Sequence, residues 1–193
     1  GSADYVYDAI TERLEQPEFR PRALFDRFNI EVLATTDKAT DRLDAHRAIR
    51  DSEWNGRVIP TFRPDALFRI ASAEWRAELD SLRAVDGRAI SDFPGFIAAL
   101  EERRRFFKSL GAAATDHAVV EPRTARLSPD DAQTIFRRAL QSDATPADQA
   151  RFEAHMLIEM ARMSVDDGLV MQLHPGSYRD HNRFVAERFG ADK

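Results

Sequence analysis

Four short apolar stretches, each ending in polar or charged side chains, most constrain what this chain of 193 residues can fold into. They lie at residues 29–37, 56–63, 111–117 and 168–177, and a helix-like segment precedes each of them. Short apolar runs bounded by turn residues are typical of buried strands. Strands that alternate with helices run parallel and are joined by crossovers. The sequence therefore predicts an α/β fold with both faces of its strands covered.

The polar residues gather at the last positions of these strands, and this favours a (β/α) barrel over an open sheet. Barrel folds place their chemistry at the carboxyl ends of the strands. No glycine-rich phosphate loop follows the first strand. A complete barrel needs eight strands and about 250 residues. Because four strands are readable, we expect a partial (β/α)8 TIM barrel, with residues 1–193 forming part of a single barrel domain.

A helical insertion is predicted over residues 72–110, between the second and third strands. Its apolar periodicity indicates two helices, the second of which would begin at Ser91 as its capping residue. Arg103, Arg104 and Arg105 follow two glutamates in this second helix. We interpret the three arginines as part of a solvated helix face rather than as a nucleic-acid patch.

Composition and charge exclude several classes of function. The net charge of −5 argues against nucleic-acid binding, which needs a basic surface. No run of about eighteen apolar residues is present, so we expect no membrane partner. The absence of cysteine excludes disulfides and thiolate chemistry and fits a reducing compartment, so a cytoplasmic location is expected. Gly1-Ser2 resembles a cloning scar, and we expect the natural start of the protein to be missing.

Candidate site residues stand at the strand ends. Arg63 could hold a carboxylate or phosphate through two parallel hydrogen bonds. Asp116 and His117 end the third strand and His174 ends the fourth, and such groups could move protons between carbon and oxygen. Asp37, after the first strand, is a further candidate, although it could simply cap the next helix. The alternative for each histidine is a residue that is satisfied in the core.

No metal site is predicted within this chain. The sequence lacks His-x-His spacing and any Glu-x-x-His pair of the usual metalloprotease kind. His46, His155 and His181 fall on helices or after a turn, and we interpret them as structural or exposed. Any metal would therefore need ligands from elsewhere.

The same strand ends carry a resemblance to the uronate isomerases of the amidohydrolase superfamily. The matching stretches are spread over nearly the whole chain, and their order and spacing are more specific than any single motif. They are FRPRALFDRFNIEVLATTD at residues 19–37, LDAHRAIR at 43–50, FRPD at 62–65, GAAATDH at 111–117 and MARMSVDDGLVMQLHPGSYRDHN at 160–182.

The resemblance implies an aldose-ketose isomerase that interconverts D-glucuronate and D-fructuronate, and D-galacturonate and D-tagaturonate, in a (β/α)8 barrel. It also implies one divalent metal, expected to be zinc. By this resemblance Arg63 matches the family arginine that helps to hold the sugar acid, and Asp116 and His174 match active-site residues that contact the substrate. From the strand-end pattern and the resemblance together, we predict that Asp116 and His174 are catalytic and that Arg63, His117 and Asp37 bind the substrate.

Two family segments are absent from this sequence. The metal-binding His-x-His of the family's first strand does not occur, and neither does the Thr-Asp-x-Arg segment of its last strand. We therefore expect an internal fragment that is inactive alone, while the full-length parent binds the metal.

Two other hypotheses stay open. The chain could be a non-catalytic α/β module that uses Arg63 and His174 to bind an acidic small molecule. It could also belong to another metal-dependent amidohydrolase on the same barrel. A homo-oligomer is possible, because half a barrel would leave strand edges exposed and should associate; cooperative unfolding of a soluble monomer would favour the binding module.

Overall fold

Helices and short parallel strands alternate along the chain in a computed structural model that describes residues 2–119, 121–176 and 180–190. The α-helices of these residues are α1 (Ala3–Leu14), α2 (Pro21–Arg27), α3 (Asp44–Arg50), α4 (Trp75–Asp86), α5 (Phe93–Ser109), α6 (Pro129–Leu140), α7 (Pro146–Asp167) and α8 (Arg183–Phe189). The strands are β1 (Val32–Ala34), β2 (Asp37–Lys38), β3 (Arg57–Ile59), β4 (Phe62–Arg63), β5 (Ala114–Val119) and β6 (Val170–Pro175). Each recorded strand pair is parallel.

The first two predicted strands are each divided into two pieces. The stretch at residues 29–37 supplies β1 and β2, and the stretch at residues 56–63 supplies β3 and β4. Pro60 lies between β3 and β4 and has no backbone N–H for the ladder. The breaks between β1 and β2 and between β3 and β4 coincide with the boundary between two compact units of the described chain. One unit contains residues up to 35 and 44–59. The other contains residues 36–43 and those from 60 onward.

The first unit is built on the parallel pair of β1 and β3, in which Val32 is the register partner of Arg57. Among its described residues few side chains are buried, namely Phe25, His46 and Ile59. The Phe25 ring meets the Trp54 ring edge-on, with centroids 4.9 Å apart. The Nε2 atom of His46 lies 2.8 Å from the Thr35 hydroxyl, which places this histidine in a structural contact, as predicted.

The second unit holds a sheet with the strand order β2-β4-β5-β6 and most of the apolar core. Phe62 of β4 is fully buried and meets Phe107 of α5 edge-on at 5.2 Å between centroids. The segment predicted as a helical insertion thus supplies α4 and α5 to this core. Helices α6 and α7 add further fully buried rings and thioethers: Phe136, Phe152, Met156 and Met160. A close-packed core of this kind fixes the ends of the strands.

The prediction that the arginines of α5 lie on a solvated helix face was wrong for two of them. Arg103 and Arg104 do not lie on a solvated face, since they are 5% and 1% exposed. Arg104 donates from Nε to Asp167 at 2.6 Å, and Arg103 donates from Nε to the Ala39 carbonyl at 2.9 Å. A buried guanidinium is tolerated because these acceptors satisfy its hydrogen bonds and charge.

The residue that caps α5 is Asp92 rather than the predicted Ser91. The carboxylate of Asp92 accepts the Gly95 N–H at 2.8 Å. Either residue type can cap a helix, so the sequence pattern does not separate these two neighbours.

Candidate active site

The register of the parallel sheet decides which side chains share a face. Ala118 of β5 is the register partner of His174 of β6. Register partners lie on the same face of a sheet, and successive residues of a strand alternate between faces. Asp116, two residues before Ala118, therefore lies on the face of His174. Phe62 is the partner of Thr115, so Arg63 falls on that face too.

Arg63, Asp116 and His174 form one polar cluster on a shared face of β4, β5 and β6. The prediction that Asp116 and His117 end the third strand was wrong, because β5 continues through them to Val119. The Nε2 atom of His174 lies 2.7 Å from Oδ1 of Asp116. The other carboxylate oxygen of Asp116 lies 3.7 Å from Nη1 of Arg63. The Asp116 side chain is 14% exposed, whereas that of His174 is 48% exposed. The cluster thus joins a guanidinium, a largely buried carboxylate and an imidazole that a small molecule can reach.

Asp65 also belongs to this cluster, although sequence reasoning did not select it. It lies in a single 3₁₀ turn, Asp65–Leu67, directly after Pro64. Its Oδ2 atom accepts from Nε of Arg63 at 2.9 Å and from the backbone N–H of Ala118 at 3.1 Å. A proline that ends a strand next to an arginine is the sequence signal that points to this turn.

His117 lies on the opposite face of β5 and does not join the cluster. Its side chain is 1% exposed, and Nε2 lies 2.9 Å from the Thr115 hydroxyl. Its Nδ1 atom has no hydrogen-bond partner among the described residues and lies 3.9 Å from Oδ1 of Asp65. Burial lowers the pKa of His117 to about 4, so the ring is neutral at physiological pH. Its role as a substrate contact stays a prediction.

Asp37 is on β2, the edge strand of the sheet, which pairs with β4. Its backbone N–H donates to the Thr61 carbonyl at 3.0 Å, and its register partner is Phe62, whereas Lys38 is the partner of Arg63. The geometry therefore assigns Asp37 to the sheet without assigning it a ligand contact. Its predicted role also stays a prediction.

The described residues of this chain do not fit a metal centre. Within the described ranges, no group of three or more His, Asp or Glu side chains is arranged to hold a metal ion. The Asp65, Asp116 and His174 side chains are instead engaged with Arg63 and with each other.

No helix in the part of the chain that the structure describes has the length and apolarity needed to cross a bilayer.

Parallel strands with connecting helices and polar groups at their carboxyl ends define an α/β fold of the kind found in (β/α)-barrel enzymes. The family described as glucuronate isomerase matches residues 1–193, the whole chain. The chain belongs to this family of uronate isomerases. The predicted family and the predicted fold class, an α/β fold consistent with a partial barrel, are thereby confirmed.

Several relatives support this assignment. The uronate isomerase of Xanthomonas campestris is 50% identical over 193 residues, which are all of this chain and 41% of that protein. The uronate isomerase of Brucella canis is 48% identical over 192 residues, again 41% of its length. The chain thus spans about 41% of the length of the curated relatives it matches.

Two solved structures superpose on nearly the whole of this chain. The crystal structure of glucuronate isomerase from Caulobacter crescentus superposes with a TM-score of 0.88 at 42% identity, over 96% of this chain and 39% of that one. The uronate isomerase from Thermotoga maritima gives a TM-score of 0.87 at 27% identity, over 98% of this chain and 42% of that one.

Proposed function

We propose that the protein of which this chain forms part is a uronate isomerase. It would interconvert D-glucuronate and D-fructuronate, and D-galacturonate and D-tagaturonate. The single observation that carries the proposal is the cluster of Arg63, Asp116 and His174 on one face of the sheet, in a chain of this family. A sugar acid needs a cation for its carboxylate and a proton carrier for its carbons, and the cluster offers both.

Arg63 is the proposed anchor of the sugar acid. A guanidinium presents a planar set of donors that matches a carboxylate with two parallel hydrogen bonds. The side chain is 32% exposed, so part of it is accessible to a ligand. Binding the carboxylate at this end fixes the distance from the acid group to the reacting carbons.

Asp116 and His174 are the proposed proton-transfer pair. An ionised carboxylate only accepts hydrogen bonds, so the 2.7 Å contact assigns a proton to Nε2 of His174. The Nδ1 atom is then the basic nitrogen of the ring. In an aldose-ketose isomerisation the proton on C2 is removed and a proton is returned to C1, while a hydroxyl hydrogen passes from O2 to O1. An imidazole oriented by a carboxylate is suited to such transfers near neutral pH.

The remaining parts of the proposal concern the whole protein. We propose that it uses a divalent metal, zinc, with ligands outside the described residues. We further propose a cytoplasmic enzyme without nucleic-acid or membrane partners, in which homo-oligomerisation is compatible with the site. His117 and Asp37 remain proposed contacts of the sugar acid in the complete site.

The test is an isomerisation assay with D-glucuronate and added divalent metal, run on the whole protein and on this 193-residue chain. Activity is expected only in the whole protein, because the chain spans about 41% of the length of its relatives. Tight uronate binding without turnover in the whole protein would favour a binding module instead. Activity of the chain alone would contradict the proposal that the active site needs residues outside this chain.

The variant His174→Asn in the whole protein sharpens this assay. It should reduce kcat by roughly 100-fold or more, as expected for the loss of a proton-transfer group. Its melting temperature should stay nearly unchanged, because the His174 side chain is 48% exposed. The contrasting variant is His155→Asn: this histidine is buried and its Nδ1 accepts the Leu127 N–H at 3.3 Å. That variant should lower the melting temperature and spare kcat.

A further inference from the structure

We propose that Asp65 is a positioning residue that sets the orientation of Arg63 toward the substrate carboxylate. The proposal rests on the proposed function of the Arg63, Asp116 and His174 cluster. It adds a carboxylate that acts through the arginine and does not itself contact the sugar acid.

The first argument is which nitrogen of Arg63 is used. Asp65 accepts from Nε at 2.9 Å, on the side of the guanidinium nearest the backbone. This hydrogen bond leaves the two Nη nitrogens at the far end, and Nη1 lies 3.7 Å from Asp116. A ligand carboxylate that approaches the outer edge would therefore meet the paired Nη groups end-on. Asp65 thereby determines which edge of Arg63 is presented.

The second argument is that Asp65 is itself held by the scaffold. Its side chain is 10% exposed, and Oδ2 also accepts the backbone N–H of Ala118 at 3.1 Å. Ala118 is the register partner of His174, so the carboxylate is tied to the strand pair that carries the proton-transfer residues. Pro64, with φ −95° and ψ 2°, joins Arg63 to Asp65 through a restricted backbone. The arginine is thus oriented by a fixed group rather than by a mobile one.

The third argument concerns charge. The His117 ring is 3.9 Å from Oδ1 of Asp65, but burial keeps this histidine neutral at physiological pH. Arg63 is therefore the cation in contact with the Asp65 carboxylate. A largely buried carboxylate needs a cationic partner, and the same ion pair restrains the Arg63 guanidinium.

The experiment is a double-mutant cycle in the whole protein with Asp65→Asn and Arg63→Met. Asparagine keeps the shape of the side chain and one acceptor, so the fold is preserved. With Arg63 present, Asp65→Asn should raise the KM for D-glucuronate about tenfold, as expected for the loss of a charge-assisted hydrogen bond. The change in kcat should stay within about threefold. In the Arg63→Met background the same change should alter KM less than about twofold, because the guanidinium that Asp65 orients is then absent.

The matched control is Asp167→Asn. Asp167 also receives an arginine, since Arg104 donates to it from Nε at 2.6 Å and from Nη2 at 2.9 Å, but this pair joins two helices. The control should lower the melting temperature and leave KM unchanged in either background. This pattern separates loss of a buried ion pair from loss of orientation at the site.

An equal rise in KM in both backgrounds, or a lower melting temperature with unchanged KM, would overturn the proposal for Asp65. If the whole protein isomerises no uronate, the proposed function fails separately. Calorimetric affinity for D-glucuronate then decides the role of Asp65 through the same cycle: coupling of the two substitutions supports it, and additivity or absence of binding overturns it.

Discussion

Two histidines on neighbouring strands occupy opposite environments in this protein. His174 contacts the Asp116 carboxylate and is half-exposed, whereas His117 is buried against Thr115. These two environments arise because successive side chains of a strand point to opposite faces of the sheet. A histidine with an accessible ring can exchange protons with a ligand, and a buried neutral one cannot do so without the cost of desolvation.

The buried His117 should make stability depend on pH. Its folded pKa is about 4 and its ordinary value is 6.5, so between these values the unfolded chain binds one more proton than the folded chain. The contribution is therefore fully present above about pH 6.5 and is lost as pH falls toward 4, by up to about 3 kcal/mol.

Urea unfolding at pH 7 and pH 4.5 measures this loss, with His117→Gln as the variant in which the difference should shrink. A histidine NMR titration of the folded protein reports the same pKa directly. An imidazole signal of His117 that titrates near pH 6.5 would contradict the structural account.

The sequence selected Arg63, Asp116 and His174 as candidates because apolar runs followed by polar residues and turns indicate strands and their ends. Alternation along a strand puts Asp116 and His117 on opposite faces, but the sequence could not show which of the two faces His174, because that depends on the register between β5 and β6. Asp65 was missed because its partners, Arg63 Nε and the Ala118 N–H, become neighbours only through the pairing of β4 with β5.

Helices α6 and α7 each begin directly after a capping hydroxyl residue. Ser128 caps α6 and Thr145 caps α7, each by accepting a backbone N–H with its hydroxyl. The side-chain partners of the helices were less predictable: Arg104 is buried because Asp167, 63 residues further on, receives it. Local capping depends on neighbouring residues, whereas a buried ion pair depends on the tertiary arrangement.

The glycine that ends α7 should tolerate a methyl group at a measurable cost. Gly168 has φ +78° and Gly87, at the end of α4, has φ +76°, and a Cβ at either position meets nothing within 4 Å. Gly168→Ala and Gly87→Ala should therefore each lower the free energy of unfolding by about 1 kcal/mol, from backbone conformation alone.

Chemical denaturation of the two glycine variants checks this expectation. Gly168 leads into β6, which carries His174, so Gly87→Ala serves as a control remote from the site strands. A much larger loss for Gly168→Ala than for Gly87→Ala would mean that the start of β6 has moved.

Across the whole molecule, the two compact units differ in how much they bury. The first unit has Phe25, His46 and Ile59 as its buried side chains among the described residues. The second contains the continuous apolar core around Phe62, Phe96 and Phe107. The alternation of strands and helices predicted the parallel fold. It did not predict this division, because nothing in the apolar pattern marks Pro60 or Thr36 as a boundary.

Native-state amide hydrogen exchange should distinguish the two units. Amides of α5 and β5 should exchange only through large-scale unfolding, whereas those of α1, which has no buried residue, should exchange through local opening. Protection factors from exchange and mass spectrometry provide the measurement. Equal protection in α1 and α5 would contradict the expected hierarchy.

The register between β5 and β6 also determines where new specificity can be engineered. Asp116 and His174 are spaced by backbone hydrogen bonds between adjacent strands, so substitutions elsewhere change their separation very little. The segment at residues 121–126, which follows β5, is exposed and carries none of the core. Directed evolution of the proposed specificity for sugar acids should therefore vary such loops and keep the strand pair constant. The loops can change shape, whereas the strand pair holds the proposed proton-transfer residues in place.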